Sequence, residues 1–367
     1  MENKYLNNVD AIRGIAILFV IMYHTMLILF PNFEIHTYSK NGLINTVDKT
    51  TFIVNFNPIA QGWIGVELFI LISGFLIHYI YLQNQKEFKW SSFFSKRFWR
   101  IYPPYFIIMF FIFLHRPDIT TEGLKNLFSH IFLFHNLSDK TFFGINSSFW
   151  SIALEVQLYL LFPIYLFMIK YFKPFKTSII LLLFTTIFCV FSFILENNSD
   201  SFNTNVFKFW FVWGIGAFLA DKYYNNKRIF NKPFLWFILF YLLFFSFKLY
   251  FITNYFILIP ATLSCLAFVE MILYSNIFEK YLINRFIFKL LSFTGIISYS
   301  LYLTHQAYLE DLLSFYNPKT NFLIINNIVS ISFTYITFYI ISYSLYLLLE
   351  LKSIEIGKYF RNKKTVG

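Results

Sequence analysis

Four ionisable side chains, His24, Glu67, Glu155 and Glu270, interrupt runs that are otherwise almost free of charge. A group that ionises inside an apolar run is expensive to bury and marks a functional site by default. Arg13 and His24 are eleven residues apart. On a helix that spacing is a difference of about 20° in azimuth and about 16 Å along the axis, so the two share one face. Asp10, three residues before Arg13, can cap that helix. A carboxylate beside an imidazole raises its basicity and fixes its tautomer. That is how a base able to activate a hydroxyl is built. Counting residues from the predicted helix ends puts His24, Glu67 and Glu155 in one depth layer, so either acid is a candidate partner for the imidazole. The plainer readings are a bundle histidine bonded to a neighbouring helix and a polar layer that glues helices together.

A cationic group stands apart from these. Arg97-Phe98-Trp99-Arg100, just after Lys96, sits where an apolar run begins. Such residues set topology or meet lipid phosphates. They also suit an anionic ligand such as a nucleotide-bearing cofactor. The strip Ser298-Tyr299-Ser300-Leu301-Tyr302-Leu303-Thr304-His305-Gln306 is polar within an apolar helix. It fits a cavity lining or an interfacial belt. Glu270 suits a local pairing with Lys or Arg. Cys189 and Cys265 lie inside apolar runs and read as inert thiols, with no metal spacing and no disulfide framework. Neither the phosphate-cradling G-x-x-x-x-G-K-[ST] nor H-E-x-x-H nor G-x-S-x-G occurs.

The elements that must carry these residues are membrane helices. Hydrophobic residues make up 57% of the 367, charged residues 13%, and there are 53 Phe. A soluble fold cannot hide that much apolar surface, and disorder needs the opposite composition. About 20 mostly apolar residues cross the hydrocarbon core as a helix. The sequence predicts an all-α polytopic bundle of about ten spans, near 12–30, 62–82, 102–115, 149–170, 177–195, 206–222, 234–252, 255–274, 286–309 and 322–349. The third is expected to begin at Pro103-Pro104, because a first-turn N–H needs no partner. Leu124–Asn136 is too short to span and reads as interfacial or re-entrant. With the N-terminus in the cytoplasm, 22 of the 30 Lys and Arg fall in inside segments, as the positive-inside rule requires. Both termini are then cytoplasmic, and residues 1–367 form one membrane domain. The net charge of +11 is spread over loops and is no nucleic-acid patch. No signal peptide is evident.

Several ordered blocks resemble the acyltransferase-3 family of membrane O-acyltransferases. Asp10–Ala16 through Tyr23-His24 is similar to its Arg/Lys-x10-His signature. Gly65–Phe69 through Ser73–Leu76 is similar to its second-helix block, with Glu67 where Asp is usual. Arg97–Tyr105, Phe149–Glu155 with Tyr159 and Pro163, and Tyr299–His305 are similar to three more. Residues 170–285 match only in hydropathy. The resemblance implies that an acyl group, most often acetyl, passes from cytoplasmic acyl-CoA to a hydroxyl of a cell-surface or lipid-linked glycan. It implies that His24 is the catalytic histidine; the catalytic set is then His24 with Glu67 and Glu155 as the acids, one or the other orienting the ring. Arg13, Arg97 and Arg100 would serve the acetyl-CoA donor, and Trp150, Tyr299 and His305 the acceptor. No metal is expected. The setting would be the cytoplasmic (inner) membrane of a bacterium. The sequence ends about 18 residues after the last predicted span, so any transfer beyond the membrane is expected within this domain or on a separate extracytoplasmic acyltransferase. A transporter or flippase for a lipid-linked sugar is the rival, because buried acids in many spans suit it too. A glycan polymerase ranks last, because the predicted outer loops at 31–61 and 116–148 carry few basic residues.

Overall fold

The structure is a computed structural model that describes residues 2–30, 57–116, 123–195, 199–248, 256–275, 282–318 and 323–366. Among the described residues all regular structure is helical, as the apolar runs require: a helix is the one open element that satisfies its own backbone in lipid. The principal helices are α1 (Glu2–Leu29), α2 (Ile64–Gln83), α3 (Trp90–His115), α4 (Gly123–Ile131), α5 (Trp150–Ile194) and α6 (Val206–Tyr224). They continue as α7 (Pro233–Lys248), α8 (Leu258–Tyr274), α9 (Leu282–Ile296), α10 (Ser298–Phe315), α11 (Leu323–Leu345) and α12 (Lys352–Val366). Among the described residues five stretches are long and apolar enough to cross a membrane, and six if α9 and α10 count as one bent span. Helices α7 and α8 are apolar but shorter.

Three boundaries differ in detail from the expected ones. Helix α5 is 45 residues long and covers both predicted spans, 149–170 and 177–195. Its halves are separated at Lys173, whose φ of 61° is left-handed and strained for a side-chain-bearing residue, directly before Pro174. The predicted run 286–309 is not one straight helix, for it breaks at Ile297 between α9 and α10. Helix α3 begins at Trp90, so Pro103 and Pro104 lie inside it and not in its first turn. An interior proline leaves the carbonyl four residues earlier without its N–H. For Pro103 that carbonyl belongs to Trp99, and the Ser353 hydroxyl of α12 donates to it. Two residues further along, the Tyr299 hydroxyl donates to the Ile101 carbonyl at 2.8 Å. The Ser353 side chain of another helix thus covers the carbonyl that Pro103 leaves open, which is how membrane helices tolerate proline.

The chain divides into two compact units. The first comprises Met1–Leu82 and Leu154–Ile296, the second Gln83–Ala153 and Ile297–Gly367. In the first, the close seats are glycines. A β-carbon at Gly14 would strike the carbonyl of Leu291, and one at Gly295 the carbonyl of Asp10, so α1 and α9 meet backbone to backbone. Small residues at such crossings are what helices use where no hydrophobic force separates protein from lipid. On α5, Phe167 and Ile187 are 62% and 67% exposed while Thr185 and Ser192 are fully buried. That is the reverse of a water-soluble helix and fits a lipid-facing surface. In the second unit α4 has the same polarity: Asn126, Ser129 and His130 are buried, while Leu124, Phe128 and Phe132 are outside. At nine residues α4 is about 13 Å long, too short to cross. The expected outer loop at 31–61 lies, up to residue 56, outside the described residues.

Candidate functional site

In the first unit Arg13 is half-buried, with Asp10 3.6 Å away one turn earlier. His24 is also half-buried, and its ring meets the edge of Tyr23 at 5.3 Å. The route from α1 to Glu67 runs through the glycines of α2. Gly62 packs on Phe19 and Tyr23, and Gly65 on Ala16 and Val20. The pairing is antiparallel and puts Glu67 level with about residue 16 of α1, on the order of 10 Å along the axis from His24. Glu67 is also about 200° round the helix from Gly65, so its carboxylate faces away from α1. Neither carboxylate oxygen makes a hydrogen bond, and the residue is 1% exposed. Glu67 and His24 are therefore not hydrogen-bonded to each other.

Glu67 instead faces α6. There Gly74 of α2 packs on the Trp213 backbone and Gly216 on the Leu71 backbone. Lys208, 6% exposed, is the cation whose charge reaches Glu67, and Cys265 of α8 lies within its field too. The Lys208 ammonium donates to Asn203 Oδ1 at 3.1 Å. Glu155, the other predicted acid, accepts a short hydrogen bond from the Tyr159 hydroxyl one turn on. Ser73 Oγ of α2 donates to that hydroxyl at 3.4 Å. A hydroxyl relay thus links α2 to α5, with Glu155 as its charged end. Glu270 accepts the backbone N–H groups of Ile229 and Phe230, at 2.5 Å and 2.9 Å. It anchors the α6–α7 loop by its backbone.

In the second unit Arg97 and Arg100 are half-buried on α3, with the Arg97 guanidinium over the Phe93 ring at 5.7 Å. Tyr299 straps the same helix through Ile101. Ser300 donates to Glu350, an acid 4% exposed on a π-helical turn at Tyr346–Leu351. Such turns shift a helix register and recur at functional sites. Trp150 stacks on Phe142 at 5.9 Å. His305 is fully buried, and its Nδ1–H donates to the Tyr302 carbonyl at 2.9 Å. The Tyr302 hydroxyl donates to the Ser148 carbonyl at 2.8 Å and is bonded to Ser151 Oγ at 2.6 Å. The polar strip of α10 therefore faces protein and is no surface belt.

Sequence reasoning passed over two further features. Lys208 reads in the sequence as one more basic residue near a predicted helix end, and its burial (6% exposed) is not visible there. His130 and His135 are both fully buried and stack face to face, with centroids 3.8 Å apart and planes 6° from parallel. The Tyr105 hydroxyl donates to the His130 carbonyl at 3.0 Å, and Thr141 to the His135 carbonyl at 2.9 Å. Burial holds the His130 imidazole down to about 4, against a weaker opposing pull from the Asn126 carbonyl. Burial, then the neighbouring His130, hold His135 well below the ordinary histidine range. Both rings are neutral at pH 7. Among the described residues no group of three His, Cys, Asp or Glu side chains is arranged to hold a metal.

Fold and site together define an all-helical membrane protein with acids and imidazoles kept among its helices. The chain belongs to the acyltransferase domain family, whose sequence profile matches residues 6–347. It is 28% identical to the peptidoglycan O-acetyltransferase OatA of Listeria monocytogenes over 45% of this chain and 25% of that protein. It is 25% identical to the O-acetyltransferase OatA of Staphylococcus aureus over 47% and 26%. A putative acetyltransferase of Acidianus two-tailed virus is 27% identical over 63% and 62%. The chain covers about a quarter of the length of the two OatA relatives. No solved structure matches it.

Proposed function

We propose that this chain is a membrane O-acyltransferase that takes acetyl from cytoplasmic acetyl-CoA and passes it to a hydroxyl of an envelope polysaccharide or lipid-linked glycan. The observation that carries this reading is the family match across residues 6–347, together with an Arg13–His24 pair on one face of α1. The names of the relatives, O-acetyltransferase and peptidoglycan O-acetyltransferase, support the reaction and a glycan acceptor. Residues 1–367 act as one domain of ten spans in the cytoplasmic membrane of a bacterium, with both termini inside. Each half of α5 is one span, and α9 and α10 make up the bent ninth.

In this mechanism Arg13, Arg97 and Arg100 hold the phosphates of the donor, because guanidinium forks match phosphate oxygens. His24 takes the proton of the acceptor hydroxyl. The oxygen attacks the thioester carbonyl, the C–S bond breaks, and the thiolate leaves as CoA with a proton. Glu155, held by Tyr159, and Glu67 are the charged groups that handle protons beside that step. Trp150, Tyr299 and His305 shape the acceptor side. Water excluded by the bundle cannot hydrolyse the thioester. A separate extracytoplasmic acyltransferase would complete any transfer beyond the membrane.

The test is release of CoA thiol by purified protein in vesicles, given acetyl-CoA and envelope glycan. Release that needs both substrates supports the proposal. Movement of a lipid-linked sugar without thiol release would favour a flippase.

A further inference from the structure

Lys208 is the third residue of α6, and that is a poor place for it. The N-terminal turn of a helix carries partial positive charge, so a cation there is repelled. Lys208 is nonetheless 6% exposed, and a buried ammonium without a counter-charge costs several kcal/mol. Its hydrogen bond to Asn203 supplies a neutral oxygen only. Glu67 is the complementary case. It lies in the first turn of α2, where a carboxylate is favoured, but it is 1% exposed and neither oxygen has a hydrogen-bond partner.

The packing brings these two ends together. Helices α2 and α6 run side by side in the same direction. They meet at mid-length through Gly74 on Trp213 and Gly216 on Leu71. Tyr79 stacks edge-on with Tyr223 toward their C-terminal ends. Glu67 and Lys208 occupy the matching N-terminal ends. The Lys208 carbonyl accepts the Thr185 hydroxyl of α5 at 3.1 Å, which fixes that turn. The other titratable groups near the pair are Cys265 of α8 beside Glu67 and Cys189 of α5 beside Lys208. On another flank of α2, about 120° round from Glu67, Ser73 is bonded to Tyr159, which is bonded to Glu155.

We propose that Lys208 is a positioning residue for Glu67: the two sit buried at the matching N-terminal ends of α2 and α6 without touching, and the field of the ammonium across that gap keeps the Glu67 carboxylate, with its uncommitted oxygens, in place for the transfer step. The part concerning turnover rests on the acyltransferase reading, whereas the pairing does not.

The experiment compares wild type, Lys208→Arg, Lys208→Met, Glu67→Gln and the double variant Glu67→Gln/Lys208→Met, all as full-length protein in detergent and in vesicles. Thermal midpoints are read by size exclusion, and kcat and KM by CoA thiol release. Breaking one side of a buried pair should lower the midpoint by about 5 °C or more in each single Met or Gln variant. The double variant should recover most of that loss, because no buried charge is left without its partner. Lys208→Arg keeps the charge and should hold kcat within a few-fold of wild type. Lys208→Met should lose at least ten-fold in kcat at nearly unchanged KM for acetyl-CoA. Additive midpoint losses in the double variant would overturn the pairing. Wild-type kcat in Lys208→Met would overturn the positioning role. If wild type itself releases no thiol, the acyltransferase reading fails, while the midpoints still decide the pair.

Discussion

At the residue scale the buried acids and imidazoles divide by what holds them. Glu155 is held by Tyr159 and Glu270 by backbone N–H groups, whereas Glu67 makes no hydrogen bond and has only the field of Lys208 opposite it. Glu270 is therefore committed to the scaffold, and the proposed proton-handling role falls to Glu155 and Glu67. A hydrogen bond to a charged group is worth about 1.5–3 kcal/mol. Tyr159→Phe should accordingly cost roughly ten-fold or more in turnover while the protein still inserts, as read by kcat beside a size-exclusion profile. These residues were legible in the sequence because ionisable groups stand out in apolar runs. Their partners were not. The residue count put Glu67 beside His24, but the antiparallel seat of Gly62 and Gly65 on α1 moves it on the order of 10 Å along the axis and turns it toward α6. A one-dimensional depth count carries no azimuth between helices, and that is what decides a partner.

Helix by helix, side chains repair what the backbone leaves open. Pro103 was read as a first-turn signal, which is the commonest place for proline. In the structure the helix runs on, and Ser353 reaches the Trp99 carbonyl that Pro103 leaves open. Ser353→Ala should leave the Trp99 carbonyl unpaired and destabilise the protein by about 1–3 kcal/mol, visible as a lower thermal midpoint. At the crossing of α2 and α6, Gly74→Val should abolish folded protein, because the Trp213 carbonyl already occupies the space of a β-carbon. Helix α4 makes the pH prediction. His130 and His135 have folded pKa values below the ordinary 6.5, so the unfolded chain binds more protons as pH falls. The stability they contribute is complete above about pH 6.5 and is lost as pH drops toward 4. The thermal midpoint should fall between pH 7 and pH 5, and His130→Asn should flatten that fall. A midpoint independent of pH over this range would contradict the buried, neutral pair.

At the scale of the whole molecule the composition was the surest guide. Low charge, abundant Phe and repeated apolar runs dictate a helical membrane protein, and the described residues are helical with apolar faces outward. The break at Ile297 was not legible, because hydropathy runs through it unchanged. The proposed topology, ten spans with both termini inside, makes a direct prediction. Cys189 and Cys265 are buried, so background labelling is low. A cysteine introduced at Asn226 should be modified only from the cytoplasmic side, and one at Lys140 only from outside. The opposite pattern would invert the topology.

The central claim is that His24 carries acyl transfer. The measurement is CoA thiol release and glycan acetylation by vesicles holding either wild-type or His24→Ala protein, with acetyl-CoA binding measured on the same samples. The account predicts that His24→Ala inserts, folds and binds acetyl-CoA as wild type does, yet neither releases thiol nor acetylates glycan. A folded His24→Ala protein that turns over at the wild-type rate would contradict it.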